Sequence, residues 1–243
     1  MVLMKKKHSR KLMRLNVFIA HCGFSSRRSA DELIKKGQVK VNGRVIKEPW
    51  FKVKEKDKVL VKGNWIRPKN FVYLAFYKPR GVVTTLKDKF ASKTVNDYLS
   101  PSLKGVYPVG RLDKYSEGLL LLTNDGDFCY RLTHPKFRVE KEYFLELKGK
   151  VIPSDLKKAL KGVYDEGEFL KVDKIMVDER SRDRTRLRVI IREGKKRELR
   201  RIFRKLGFGI ALLKRIRIAN IRIGRLKPGE LKVINKENAF RKL

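Results

Sequence analysis

The dipeptide Asn42-Gly43 constrains the fold of this chain more than any other short feature. Asn-Gly favours the left-handed backbone of a two-residue turn, and residues 38–41 and 44–46 flank it as short strand-forming segments. We therefore predict a β-hairpin here. Two helical patterns precede it, because apolar residues recur at spacings of three and four within residues 15–22 and again within residues 30–34. These patterns predict a small module of two helices followed by a hairpin.

Glycine and serine residues mark the ends of the two predicted helices. The first apolar stripe stops at Gly23, Ser25-Ser26 offers an N-cap for the second helix, and Gly37 closes that helix. Four basic residues on the second helix would set a positive face against phosphate groups. They are Arg27, Arg28, Lys35 and Lys36. The alternative is that this basic module serves only to pack against a second domain.

The charge of the chain indicates a polyanionic partner. The sequence has 62 Lys and Arg against 26 Asp and Glu, a formal net charge of +36. Both parts contribute, since residues 1–70 carry 20 basic and 5 acidic residues and residues 71–243 carry 42 and 21. A thermophilic surface would add charges of both signs. Without a strongly amphipathic terminal helix, the excess favours nucleic acid over a membrane surface.

Composition also divides the chain. Residues 1–11 are basic and lack apolar periodicity, so we predict a flexible arm. Residues 61–70 contain Gly, Pro and polar residues, as a linker or a connecting strand does. We therefore expect one domain over residues 12–60, a linker over 61–70 and a second domain over 71–243.

The second domain is predicted to be an α+β structure. Short strand patterns alternate with helices, and the best interpretation is a mixed, mainly antiparallel sheet flanked by helices. A helix is predicted over residues 197–206, with an apolar stripe on one side and Gly207 at its end. The predicted strands include residues 72–77, 119–122, 143–147, 185–191, 217–218 and 231–234.

Several classes of protein are disfavoured by simple observations. Cys22 and Cys129 are the two cysteines, and neither lies in a cluster with zinc-binding spacing, so we expect reduced thiols and no metal site. No apolar run approaches the roughly 18 residues that a membrane span needs. The N-terminal residues lack the order of a secretory signal. We therefore expect a cytoplasmic protein with no membrane partner.

Asp113 lies in a predicted loop, residues 110–118, between two well-patterned flanks. Loops held by rigid elements commonly display catalytic groups, and glycines permit a close approach of the backbone to a ligand. However, an Asp in a loop more often satisfies local backbone donors in a turn or cap. The residues alone therefore leave the role of Asp113 open.

Longer stretches of the chain resemble known families. Residues 14–16, 25–30, 33–34 and 37–43 together resemble the S4 RNA-binding module. Residues 107–113 and 117–126 resemble the signature of the RsuA-type pseudouridine synthase family. Three further stretches match that family in the same order: residues 78–83, 140–143 and 192–201. An S4 module before the catalytic domain is also this family's arrangement.

The resemblance implies an enzyme that converts uridine to pseudouridine without a cofactor. It implies that Asp113 is the catalytic carboxylate, that Tyr143 stacks on the flipped base, and that Arg200 is the basic residue beside the carboxylate. Tyr143 has the alternative of packing in the core, and Arg200 that of a solvated basic face. Further RNA contacts are expected from Arg111, Arg197, Arg201, Lys195, Lys196 and Lys78.

The expected partner is ribosomal RNA, with large-subunit RNA favoured over small-subunit RNA, and we expect a monomer. The competing hypothesis is a non-catalytic RNA-binding or ribosome-assembly protein on the same scaffold. A DNA-binding regulator is disfavoured, because no helix-turn-helix reader or dimer motif is present. One departure from the family pattern is Glu198, which stands where Gln is frequent.

Overall fold

The computed structural model describes residues 12–54, 56–86 and 88–240. The predicted basic arm, residues 1–11, lies outside them. The chain divides into two compact units, the first made of Met1–Phe71 and Ser100–Gly105, the second of Val72–Leu99 and Val106–Leu243.

The first unit contains the predicted helices and hairpin. Helix α1 is Leu15–His21 and helix α2 is Arg27–Lys35, which begins where the Ser26 hydroxyl accepts a hydrogen bond from the Ser29 amide. A four-stranded sheet has the order β3-β2-β5-β6. Its strands, together with the separate pair β1–β4, are β1 Met13–Arg14, β2 Val39–Val41, β3 Arg44–Val45, β4 Lys52–Val53, β5 Val59–Val61 and β6 Asn64–Ile66.

Local backbone geometry explains the hairpin. Asn42 and Gly43 have φ of 49° and 86°, the left-handed values that a type I′ turn requires at both central residues. The alternating valines of β2 point inward, since Val39 and Val41 are buried while Lys40 is exposed. The predicted order of helix, helix and hairpin is therefore confirmed.

Strand β6 lies within residues 61–70, the segment predicted to be a linker or a connecting strand. Asn64–Ile66 pairs with β5 in antiparallel register, and Ile66 is buried in the core of the first unit. Lys62 and Gly63 form the turn between the two strands, both with positive φ. The Gly and polar residues that suggest a linker therefore belong to a second hairpin.

The second unit is built on a sheet of nine strands within the described residues, and the predicted α+β class is confirmed. Its main order is β13-β14-β10-β15-β9-β7-β17, with β16 beside β15 and β8 beside β9. The β15–β9 pair is parallel and the other pairs are antiparallel. The strands are β7 Tyr73–Lys78, β8 Tyr107–Pro108, β9 Glu117–Thr123, β10 Lys141–Lys148, β13 Lys174–Arg180, β14 Arg184–Ile191, β15 Ile210–Ile218, β16 Ile221–Arg222 and β17 Leu231–Val233.

Helices and a small hairpin complete the second unit. The helices are α3 Gly126–Thr133, α4 Pro153–Lys161 and α5 Glu198–Lys205, and the hairpin joins β11 Val163–Asp165 to β12 Glu168–Leu170. The four leucines of β9, residues 119–122, are fully buried, as expected for a strand covered on both faces. Helix α5 buries Leu199, Ile202 and Phe203 on its predicted apolar stripe.

Candidate active site

The loop that carries Asp113 is held by hydrogen bonds to its backbone. The buried hydroxyl of Thr84 donates to the Leu112 carbonyl at 2.7 Å and accepts from the Leu112 amide at 3.3 Å. The Gly81 amide donates to the Lys114 carbonyl at 2.8 Å, and the Ser116 amide donates to the Asp113 carbonyl at 3.0 Å. These bonds fix the backbone on both sides of Asp113 and leave its side chain partly exposed.

Lys78 is a further support of this loop. Its fully buried amine donates to the carbonyls of Pro79 and Val82, both at 2.8 Å, and to that of Lys114 at 3.4 Å. Burial lowers the pKa of Lys78 to about 8, against the opposing effect of the carboxylates of Glu117 and Asp113. The expectation that Lys78 contacts RNA is therefore corrected, because its amine is enclosed by backbone carbonyls.

Arg200 approaches Asp113 from the first turns of α5. Its Nε lies 4.0 Å from Asp113 Oδ2, where the side chains of Arg200 and Asp113 are 20% and 42% exposed. Its Nη2 donates to the Tyr115 carbonyl at 3.1 Å and to the Ser116 hydroxyl at 3.3 Å. Arg200 thus places a positive charge beside the carboxylate and holds the loop that follows it.

Tyr143 lies on β10, which neighbours β15 in the middle of the sheet. The register between these strands shifts between Glu142 and Tyr143, so that Glu142 pairs with Arg217 and Tyr143 with Arg215. Such a bulge re-aims the side chains beside it. The Tyr143 hydroxyl lies 3.5 Å from Arg215 Nη1, and the ring is 7% exposed.

Asp113 and Tyr143 line one pocket of about 310 Å³. That volume lies at the small end of the range of ligand sites. Its apolar walls include Val109, Leu132 and Ile218. The polar and charged lining also includes Arg111, Lys195, Arg197, Lys141, Glu198 and Arg215. The pocket therefore combines apolar walls with the exposed carboxylates of Asp113 and Glu193 and an excess of cations.

Comparison with known proteins identifies the family. Residues 72–205 match the family model described as RNA pseudouridylate synthase, and residues 13–59 match the S4 domain. The chain belongs to the RNA pseudouridylate synthase family. It is an RNA pseudouridine synthase with an N-terminal S4 domain, as the resemblance of its motifs implies.

Two relatives and one solved structure align with nearly the whole chain. A Bacillus subtilis (strain 168) protein named ribosomal large subunit pseudouridine synthase B is 38% identical over 219 residues, covering 89% of this chain and 90% of the relative. An uncharacterized RNA pseudouridine synthase of Aquifex aeolicus (strain VF5) is 36% identical over 93% of this chain and 94% of its own. A crystal structure of a pseudouridylate synthase superposes with a TM-score of 0.66 at 25% identity, covering 93% of this chain and 98% of that one.

Arg201, expected to contact RNA in this pseudouridine synthase, takes part instead in a structural ion-pair network. It is 6% exposed, and its Nε donates to Asp165 Oδ2 at 2.7 Å while its Nη1 pairs with Glu168. These carboxylates raise the pKa of Arg201. The expectation is corrected, because the guanidinium is occupied in fastening α5 to the β11–β12 hairpin.

The other expected RNA-contacting residues are accessible. Arg111, Lys196 and Arg197 are exposed, and Lys195 is partly buried at the pocket wall. In the S4 unit, the basic side chains of α2 and of Lys36, which follows its last residue, are exposed, which leaves them accessible to phosphate. They are Arg27, Arg28, Lys35 and Lys36.

Glu198 is a buried carboxyl in the wall of the pocket. Glu198 is 5% exposed, and its Oε2 accepts a hydrogen bond from the Lys195 amide at 3.2 Å. Burial raises the pKa of Glu198 to about 7, and the nearby charge of Glu193 adds to the rise. The lysines at 195 and 141 oppose it. This carboxyl therefore gains and loses its proton near neutral pH.

Arg215 is the site residue that the sequence interpretation missed. It lies on β15, lines the pocket beside Tyr143 and is 3% exposed. A signal was present, because Arg215 and Arg217 occupy alternating positions in a strand that is apolar apart from them and Lys214, and charged side chains are rarely buried unless they are paired.

Two features are absent from the part of the chain that the structure describes. No group of three or more His, Cys, Asp and Glu side chains suited to a metal ion occurs there. Nor is any helix in that part of the chain long and apolar enough to cross a bilayer.

Proposed function

We propose that this pseudouridine synthase isomerises a specific uridine in ribosomal RNA, with Asp113 as its catalytic carboxylate. The observation that carries the proposal is the partly exposed Asp113 carboxylate at the pocket, with the Arg200 guanidinium 4.0 Å away. The RNA class is supported by the Bacillus subtilis relative, whose name specifies the large ribosomal subunit and which aligns over 90% of its length. Large-subunit RNA is therefore our favoured substrate.

The reaction requires little beyond one carboxylate and a shaped pocket. The bond between ribose C1′ and uracil N1 breaks, a bond between C1′ and C5 forms, the proton on C5 leaves, and N1 takes up a proton, so that the product is an isomer of uridine. An ionised Asp113 can serve as nucleophile or as base in this sequence. Arg200 places its positive charge 4.0 Å from this carboxylate.

The dimensions of the pocket suit a single base taken out of the RNA stack. A uridine inside folded RNA must leave its stack to reach Asp113, and a flipped base is held by aromatic and apolar side chains. Tyr143 offers the aromatic surface, and Val109, Leu132 and Ile218 offer apolar walls. Arg111 is exposed two residues before Asp113, where it can occupy the vacated place in the stack or meet a phosphate.

Replacement of Asp113 by Asn tests the catalytic assignment. The side chain of Asp113 forms an ion pair with Arg200 while its backbone carries the loop hydrogen bonds, so the isosteric amide should fold. We expect Asp113→Asn to abolish tritium release from 5-tritiated uridine in ribosomal RNA while RNA binding persists. Tritium release at the wild-type rate would refute the catalytic role.

Asp178→Asn is the matched control for this variant. Asp178 is also partly exposed and paired with an arginine, Arg188, but it lies on the edge strand β13. It should therefore retain wild-type tritium release. Mapping of pseudouridines in ribosomal RNA from cells with and without the gene tests the RNA class, and modification confined to another RNA would contradict it.

The S4 unit is proposed to contact phosphates through α2. Replacing Arg27, Arg28 and Lys35 of this helix and the adjacent Lys36 by Gln should weaken RNA binding and flatten its dependence on salt, because fewer phosphate contacts release fewer counterions. A loss of three exposed charges on α4, at Lys157, Lys158 and Lys161, provides a comparison surface. An unchanged salt slope in the α2 variant would mean that this helix does not bind phosphate.

A further inference from the structure

Arg215 has a buried guanidinium nitrogen without a partner. Its Nε donates to the Leu119 carbonyl at 2.7 Å, and its Nη1 lies 3.5 Å from the Tyr143 hydroxyl. Its Nη2 is buried and has no hydrogen-bond partner among the described residues. A buried donor that is left unpaired destabilises the folded state by about 1–3 kcal/mol. An unpaired donor on a residue that lines a pocket therefore requires an explanation.

The position of Arg215 is fixed by its strand. β15 lies between β10, which carries Tyr143, and β9, which follows the Asp113 loop. Gly118 on β9 has φ of 103° and approaches so closely that a Cβ there would lie 2.3 Å from the Arg215 carbonyl oxygen. The two strands therefore lie so close at Arg215 that only glycine fits at position 118. The guanidinium is held by the hydrogen bond from its Nε to the Leu119 carbonyl.

The chemistry of the orphaned nitrogen limits what it can bind. A guanidinium has donors only, so its complement must be an acceptor. Phosphate is served by the exposed arginines at the pocket, Arg111 and Arg197, which remain close to solvent. The enclosed Nη2 donor of Arg215, which lies next to the Tyr143 ring, suits instead an uncharged acceptor on the edge of a planar ligand ring. The uracil ring offers two such acceptors, its carbonyl oxygens O2 and O4.

We propose that Nη2 of Arg215 donates a hydrogen bond to a carbonyl oxygen of the uracil that enters the pocket. Arg215 thereby positions the base between Tyr143 and Asp113 and contributes to selection of uracil. This inference rests on the proposed assignment of the Asp113 pocket as the active site. A donor-only group at O4 would also disfavour cytosine, which has an amino group at that position.

The test combines a protein change with an atom change in the substrate. RNA oligonucleotides carry uridine, 2-thiouridine or 4-thiouridine at the position that the wild-type enzyme modifies, whichever RNA that proves to be. Sulfur is a weaker acceptor than oxygen. Each substrate is assayed with wild type, Arg215→Lys and Arg217→Lys. Arg217 is the matched control, since it is a buried arginine on the same strand whose guanidinium is paired with Glu142 and Glu140.

One of the two thio-substitutions should lower the wild-type kcat/KM by about tenfold or more, the loss expected for a hydrogen bond to a charged group. The same thio-substitution should lower the kcat/KM of Arg215→Lys by a much smaller factor. The kcat/KM of Arg217→Lys should fall by the same factor as that of wild type. Sulfur also changes the intrinsic reactivity of the base, and this change is the same for all three proteins. The difference between the thio-effects of two proteins therefore excludes it. The affected position identifies the carbonyl.

Equal thio-effects in wild type and Arg215→Lys at both positions would overturn the inference. If Arg215→Lys does not fold, the wild-type enzyme alone still provides a test. The inference is refuted when neither thio-substitution lowers the wild-type kcat/KM. These outcomes are separate from failure of the proposed function. Activity in Asp113→Asn would refute the catalytic residue, and modification of a non-ribosomal RNA would refute the substrate class, while the coupling at Arg215 is measured in either case.

Discussion

Arg200 Nε lies 4.0 Å from Asp113 Oδ2, although 86 residues separate the two positions before α5 and the loop meet. The same guanidinium donates to the Tyr115 carbonyl and the Ser116 hydroxyl. Arg200 therefore has two effects on Asp113: it supplies an opposing charge, and it holds the backbone of the loop.

Replacement of Arg200 by Ala should remove both effects. Because loss of catalytic geometry by about 1 Å costs roughly 10²-fold in rate, we expect a single-turnover decrease of that order. Arg200→Lys keeps the positive charge but lacks the several N–H donors of the guanidinium. Its single-turnover rate should therefore lie between those of Arg200→Ala and wild type. Arg204→Ala, an exposed position on the same helix, is the control. A wild-type rate in Arg200→Ala would contradict this role.

Replacement of Thr84 by Val should disturb the Asp113 loop by removing its hydrogen bonds to the Leu112 backbone. The hydroxyl of Thr84 donates to one carbonyl and accepts from one amide, both of Leu112, next to Asp113. The isosteric valine leaves these groups unsatisfied, which costs about 1–3 kcal/mol in the free energy of unfolding. We also expect kcat to fall, because the carboxylate is no longer held in place.

Thr185→Val separates these two consequences of the Thr84 change. The buried Thr185 hydroxyl likewise donates to one carbonyl, of Gly149, and accepts from one amide, of Val151. Thermal unfolding should show similar destabilisation for both variants, and turnover measured well below the unfolding temperature should fall only for Thr84→Val. Equal turnover in both variants would argue against a positioning role for Thr84.

Glu198 should make stability depend on pH near neutrality. Its pKa is raised to about 7 in the folded protein, so the folded state keeps a proton that the unfolded state releases at lower pH. Stability from this group therefore decreases as pH rises from about 4.5 towards 7, by about 3 kcal/mol at most.

Glu198→Gln should remove this contribution. Denaturant unfolding measured between about pH 5 and pH 8 should show a weaker decrease in the variant than in wild type, with the variant relatively more stable at the upper end. Parallel curves for the two proteins would show that burial does not hold a proton on Glu198.

Arg197→Gln should weaken RNA binding without changing the fold. The side chain is exposed at the pocket, where a phosphate contact would reduce the salt slope of binding by about one when lost. Lys205→Gln, at the other end of α5, removes one exposed charge as a control. Identical salt slopes for wild type and Arg197→Gln would exclude a phosphate contact at this position.

Much of the local structure was determined by the sequence alone. The hairpin at Asn42-Gly43 and the start of α2 at Ser26 depend on backbone preferences and hydrogen bonds that span only a few residues. The buried run of leucines in β9 follows from their hydrophobicity. The motif around Asp113 identified the family because its residues are contiguous in the chain.

Tertiary structure alone decided which charged side chains are buried and which meet the pocket. Arg201 is expected on a basic surface, but Asp165 and Glu168 on a distant hairpin enclose it, and backbone carbonyls around Lys78 do the same to its amine. Arg215 lines the pocket from β15, where it pairs with Tyr143 next to a bulge and where Gly118 of β9 approaches its backbone closely. The cost of burying a charge depends on partners that are far away in sequence, and only the folded chain brings them together.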